Sequence, residues 1–391
     1  MHNPLKPTRQ DGLQRLARFA PQMGRQYAAT RNEDRGPGAH TNVSCLSPYH
    51  RHRLVLERES VAEAVAAHGA RGADKFISEV YWRTYFKGHL ERKPSIWTAY
   101  ARDVSALWED KSGALANDLE AAEGGQTGID AYDHWVRELV DTGYLHNHAR
   151  MWFASIWIFT LRLPWQLGAD FMLRHLLDGD PASNTLSWRW VGGLHTKGKT
   201  YLARPDNIAR FTKGRFHPKG LAATAPPLTE EARHHLLPPP QGDQPPQGPV
   251  LWLVTPEDCA GEDLAAGADV AGVALSAFDT RSTLGESDAV LAFARGAVDD
   301  AGERLGGAAA RVPLQAGPLA DAARAAGASA IATPYAPVGP TADALAAARD
   351  GLAEEGIPLH TLLRLEDRAA WPYANAGFFK LKKAIPSLLP S

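Results

Sequence analysis

The chain is predicted to fold as two regions of different class. The first is a mostly helical N-terminal domain over residues 1–221, and the second a C-terminal α/β domain with a parallel, Rossmann-like sheet over 249–391. Three observations predict this. A proline-rich stretch, 222–248, holds Pro226-Pro227, Pro238-Pro239-Pro240 and Pro245-Pro246; lacking backbone donors and helical freedom, it reads as an extended or disordered linker. Before it, apolar residues recur at helical spacing with few strand signals. Beyond it, short apolar runs alternate with alanine-rich helical stretches, as buried parallel strands joined by helices do.

In the N-terminal region, Ser60 with Glu63 three residues on predicts a capped helix over Val61–His68. Apolar residues at 76, 77, 80, 81, 85, 86 and 90 predict a helix over Lys75–Leu90. Asp130–Thr142 and His146–Leu163 follow, with Gly143 as the stop between them. Pro164 breaks the pattern, and Trp165–Leu177 resumes it. In the C-terminal region, strands are predicted at Val250–Val254, Val270–Phe278, Arg311–Leu314, Ala330–Thr333 and Pro358–Leu363. Helices are predicted at Leu291–Leu305, Pro318–Ala326 and Thr341–Glu355. Neither a GxGxxG turn nor a GKS/GKT phosphate loop occurs there.

The chain has 391 residues, 44% of them hydrophobic, enough for two cores. Net charge is −2, but residues 1–221 hold 30 Lys+Arg against 23 Asp+Glu, while 222–391 hold 12 against 21. The basic half also carries 9 of the 11 tryptophans, a composition suited to nucleic acid or a nucleotide cofactor. Cys45 and Cys259 fit no CxxC metal or redox pattern, so no metal site and a reduced, cytoplasmic setting are expected. The start of the chain has no signal-peptide core, and the apolar run Met151–Phe159 is too short to span a bilayer.

The densest polar and aromatic stretch is Asp178-Gly-Asp-Pro-Ala-Ser-Asn-Thr-Leu-Ser-Trp-Arg-Trp190. Three further stretches stand out: Val43-Ser-Cys-Leu-Ser-Pro-Tyr49, Phe76-Ile-Ser-Glu-Val-Tyr-Trp-Arg83 and Thr142-Gly-Tyr-Leu-His-Asn-His-Ala-Arg-Met151. In this order the four resemble the flavin and substrate motifs of the cryptochrome/photolyase family: TSxLSPYL, ELxWR(E)FY, TGWMHNRxRM and the flavin-ring segment. Val43 and Cys45 stand where the family has Thr and Arg, and His148 where it has Arg.

The resemblance implies FAD as cofactor and light-driven electron transfer as chemistry. Ser44, Leu46 (through its backbone), Ser47 and Arg83 would then meet the FAD phosphates, with Tyr27 as an upstream contact. Asn147 would face both FAD and substrate, and Arg150 would lie over the flavin ring. Asp178 and Asp180 would anchor the ring edge and ribitol, with Asp178 pairing Arg150. Asn184 would face N5, as donor or acceptor by choice of amide orientation. Glu79, Trp82, Met151 and Trp190 would contact a cyclobutane pyrimidine dimer in UV-damaged DNA. Trp188 and Trp165 would be the first two electron relays. The third relay position, near Ala122, holds no tryptophan, leaving Trp108, Trp135, Trp152 and Trp157 as alternatives. Arg51, Arg53, Lys197, Lys199, Arg210, Lys213 and Arg215 could hold DNA phosphates.

In the family an α/β antenna domain precedes the FAD domain; here the α/β segment follows it. Arg311–Gly317, Thr333-Pro-Tyr-Ala-Pro337 and Trp371–Lys383 are similar to antenna-domain segments. Ala336 replaces the acidic residue of that turn, which speaks against an antenna folate or deazaflavin. Tyr201–Gly220 is similar to the segment that leaves the FAD domain. A monomeric DNA photolyase is expected, with a cryptochrome-like photoreceptor as the alternative and a light-independent flavoprotein as a third reading.

Overall fold

The computed structural model describes residues 5–277, 280–306 and 309–389; Phe278, the predicted end of the second strand, lies outside them. The helices predicted from periodicity are found near their expected bounds: Asp74–Arg92, Asp130–Thr142 and Trp165–His175. Gly143 ends the second of these at φ 64°, the left-handed geometry glycine adopts without a Cβ clash. His146–Leu163 is split into an α-helix, Asn147–Ser155, and a wide π turn, Ile156–Thr160.

The expected Ser60 cap is corrected. The helix runs Glu57–Gly72, with Leu56 at the N-cap, and Glu59 reaches back to accept from the Leu56 N–H at 2.8 Å. Ser60 is buried inside the first turn, its hydroxyl 3.1 Å from His50 Nε2. Helices at Arg9–Phe19, Ser95–Glu109, Gly113–Glu123 and Pro181–Val191 add to those predicted.

The C-terminal region holds five parallel strands: β1 (Pro249–Val254), β2 (Asp269–Ser276), β3 (Ala310–Val312), β4 (Ala330–Pro334) and β5 (Leu359–Leu362). Their order is β3-β2-β1-β4-β5, so the connections reverse direction beside β1, as in doubly wound sheets. Strand alternation sends Val250, Trp252 and Val254 to one face and Leu251 and Leu253 to the other.

The first of these faces does not pack on C-terminal helices alone. Val250, Trp252, Val254 and Phe293 share a core with Leu16, Phe19, Tyr49 and Phe76 of the helical region. Stretch 222–248 forms no helix or strand, yet it is tied down: Leu228 N donates to Gly192 O and Leu237 N to Arg92 O. The end of the chain returns to the helical region through Leu365–Ala370 and Phe379–Leu388. Tyr81 and Tyr85 donate their hydroxyls to Leu388 O at 2.9 Å and Ala376 O at 2.7 Å.

Among the described residues, no helix is long and apolar enough to cross a membrane. Cys45 and Cys259 are both free and buried.

Candidate functional site: a cavity between three helices

A cavity of about 600 Å³ opens between the helices Asp74–Arg92, Asn147–Ser155 and Pro181–Val191 and the segment 43–47. Each helix turns one stripe to it. The stripes are Phe76, Glu79, Val80 and Arg83; Asn147, Arg150, Met151 and Ala154; and Asn184, Ser187, Trp188 and Val191. All three step by i, i+3, i+4 and i+7, the spacing of one helix face. The third helix starts at Asp180, which accepts from Ser183 N at 2.7 Å, with Pro181 in the first position.

Tyr27, Ser44, Leu46, Ser47, Trp82, Asp178, Asp180 and Trp190 also line the cavity, so every predicted site residue except Trp165 is on its wall. Trp165 stacks on Tyr100 at 5.7 Å. The indole in ring contact with Trp188 is that of Trp157, at 6.2 Å and nearly perpendicular. Gly168 permits this: a Cβ there would lie 2.4 Å from Trp188 and 2.7 Å from Trp157. Trp135 and Trp152 form a separate stacked pair at 5.4 Å.

Charges on the wall are paired, but incompletely. Asp178 Oδ2 accepts from Arg150 Nη2 at 2.9 Å, while Oδ1 is buried with no protein partner. Burial opposes its charge, but Arg150, with the Ser47 hydroxyl and Arg83, more than offsets that and holds the carboxyl below the usual range. Asp180 is likewise lowered against burial by Lys87, Arg83 and Arg51. Arg83 Nη1 lies 3.6 Å from Asp180 Oδ2, close enough for an ion pair, and is buried without a hydrogen bond. Glu79 pairs with Arg31 at 2.8 Å, yet burial still pushes its pKa up. Trp82 stacks on Phe378 of the C-terminal tail at 3.9 Å. Neither Arg31 nor Phe378 carried a signal in the sequence, because both meet their partners across long stretches of chain.

Asn184 corrects one expectation. Its Nδ2 donates to Ala169 O at 2.7 Å, and since a carbonyl only accepts, the amide cannot flip. Oδ1 is the acceptor left for a ligand. Arg51 and Arg53, expected to hold DNA phosphates, are buried. Arg51 is forked onto Glu257 at 2.6 and 2.8 Å, and Arg53 pairs with Asp258 and Asp367 at 3.2 and 2.6 Å. Arg215 and Lys213 are bound to Asp34 and Glu33. Lys197, Lys199 and Arg210 are exposed.

These residues fit FAD. The volume falls within the range of cofactor sites, roughly 300–1,000 Å³. A buried guanidinium nitrogen and a buried carboxylate oxygen, neither of them hydrogen-bonded, offer what a diphosphate and a ring N–H need.

Residues 76–220 match the family model described as the FAD binding domain of DNA photolyase. The deoxyribodipyrimidine photo-lyase of Streptomyces griseus is 31% identical over 179 residues, 42% of this chain and 38% of that protein. That of Thermus thermophilus is 32% identical over 201 residues, 50% of this chain and 45% of that one. The chain therefore spans less than half the length of these relatives. Among solved structures, a cryptochrome of Synechocystis sp. PCC6803 superposes with TM-score 0.45 at 21% identity, covering 53% of this chain and 43% of that one. A bacterial class III photolyase from Agrobacterium tumefaciens gives 0.43 at 23%, covering 52% and 44%.

Proposed function

The chain belongs to the cryptochrome/photolyase family through its FAD-binding domain, and from that premise we propose that it repairs cyclobutane pyrimidine dimers in DNA under light. The observation that carries this reading is the convergence of four dispersed motifs on one cavity. Bound FAD supplies a light-absorbing one-electron donor; the chain supplies binding, orientation and exclusion of water.

Ser44, Ser47, the Leu46 backbone and Arg83 would hold the diphosphate. Arg150 and Asp178 would hold the ring, and Asn184 Oδ1 would be an acceptor for its edge. Exposed Lys197, Lys199 and Arg210 meet backbone phosphates, and the damaged pair is flipped into the cavity. Trp82 and Trp190 flank it, with Asn147 and Met151 alongside. Glu79, whose pKa burial raises, is the carboxyl set on this wall to hydrogen-bond a carbonyl of the dimer as negative charge develops there.

The test is loss of dimers from UV-damaged oligonucleotides, single- and double-stranded, under blue light with the flavin reduced. Light-dependent loss is expected, and Glu79→Ala should cut its yield more than DNA affinity. FAD binding without dimer loss would reject repair.

That outcome would favour a second reading, a flavin photoreceptor without repair. Two contacts support it: Glu79 is already engaged by Arg31, and Trp82 already carries Phe378 on its ring.

A further inference from the structure

The segment 176–181 joins the Trp165–His175 and Pro181–Val191 helices and carries Asp178 and Asp180. Its backbone is held from behind by two guanidinium groups. Arg51 Nε donates to Gly179 O at 2.7 Å, between the two aspartates. Arg281 Nη1, from the α/β region, donates to Leu176 O at 3.1 Å.

Arg51 is itself fixed from the α/β region. Glu257, after β1, takes both its terminal nitrogens, and Thr341 donates to Glu257 Oε1 at 3.0 Å. Arg281 is fixed by a second bond to His52 Nε2 at 3.2 Å, His52 in turn bonding Pro256 O at 2.7 Å. Arg51, His52, Glu257 and Arg281 are all buried, so losing a partner leaves a desolvated polar group that is costly to keep. The loop has no slack: a Cβ at Gly179 would lie 2.8 Å from Leu173 O and 3.1 Å from Arg281 Nη1.

We propose that the C-terminal α/β region is part of the flavin site, with Glu257, acting through Arg51, and Arg281 as positioning residues that fix the loop bearing Asp178 and Asp180. The proposal rests on the FAD reading but not on repair, and it assigns this region a role that needs no second chromophore. Without the Glu257 charge, Arg51 loses the partner that fixes both its terminal nitrogens, and its bond to Gly179 O no longer holds the loop in one place. Flavin binding and docking of the α/β region then become one linked equilibrium, since each favours the same loop geometry.

The experiment titrates the full-length chain with FAD, following flavin fluorescence and the fine structure of the visible absorption band, beside thermal melts. Glu257→Gln should weaken FAD binding at least about tenfold, the scale of one charge-assisted hydrogen bond, and blur the band. Glu257→Asp, which restores the charge, should recover part of that loss. Arg281→Lys keeps the charge but loses the fork to Leu176 O and His52, and should also weaken binding.

Tyr335→Phe is the control. It removes an inter-region hydrogen bond of 2.8 Å, to Glu91, away from the loop, and should lower the melting temperature while leaving FAD affinity unchanged. If Glu257→Gln and Arg281→Lys behave like Tyr335→Phe, the proposal is overturned. Should Glu257→Gln fail to fold, Arg281→Lys decides alone. A wild-type chain that takes up no FAD would overturn the flavin reading itself, before any variant is compared.

Discussion

Replacing Asp178 by Asn tests the cavity at its most constrained pair. The Asp178 side chain is 3% exposed and that of Arg150 23%, with Oδ2 and Nη2 2.9 Å apart. Unit charges about 4 Å apart at an effective dielectric near 20 attract by about 4 kcal/mol. Arg150 is partly solvated and keeps its Nε bond to Leu145 O, so the loss in fold stability should be smaller, about 1–3 kcal/mol.

FAD affinity reports separately on Oδ1, which makes no hydrogen bond in the protein although the Ser47 hydroxyl lies beside the carboxyl. Turning a charged acceptor into an amide should cost about 1.5–3 kcal/mol of binding, or roughly 10- to 150-fold in the dissociation constant. Fluorescence titration with FAD, paired with urea unfolding, reads both quantities. A cycle with Arg150→Gln then isolates the pair, because the two changes should fall short of additivity. The pH dependence has a fixed sign. The folded carboxyl is lowered, so its contribution is present above the unfolded pKa of about 3.9 and is lost as pH falls below it. Asp178→Asn that unfolds more easily yet binds FAD as tightly as wild type would refute the reasoning.

Three more outcomes are expected. Glu91, buried and bonded to Tyr335 and Val338 N, has its pKa raised to about 7 by desolvation. The folded state therefore holds a proton that the unfolded state releases, and stability falls as pH rises from about 4.5 to 7, by on the order of 3 kcal/mol. Glu91→Gln should remove that component from melting curves; an unchanged pH slope would count against it. Gly168→Ala should destabilise by about 1–3 kcal/mol through overpacking against two rigid indoles, less a helix-propensity gain of up to about 1 kcal/mol. Equal or higher thermal stability would show that the indoles can move apart. Trp157→Phe should slow light-driven flavin reduction more than Trp165→Phe, since Trp157 is the ring against Trp188; the opposite ranking in a photoreduction time course would restore the Trp165 route.

Local order is readable where it rests on local forces. Periodicity places Asp130–Thr142 to the residue, because the stripe, the first-turn acids and Gly143 all act within that segment. The helix that aligns Asn184 with Trp188 carried a signal that periodicity alone passes over: Asp180-Pro181 with Ser183 is a cap followed by a first-turn proline. The Ser60–Glu63 pattern misleads because Glu59 reaches the Leu56 N–H first and starts the helix a turn earlier.

The sequence by itself determined the two fold classes, the parallel strands and the residues that come to line one cavity, since helix stripes and short motifs carry their geometry within a few turns. Only the tertiary structure decided what those residues meet. An arginine in sequence reads as a solvated cation, and Arg51 reads as a phosphate contact; 206 residues away Glu257 buries it and makes it a strut behind the flavin loop. Trp82 acquires Phe378 and Glu79 acquires Arg31 in the same way. Burial and charge pairing depend on which distant segments share a core. Here β1 and the first helices share one, so the proline-rich stretch joins two regions of a single core.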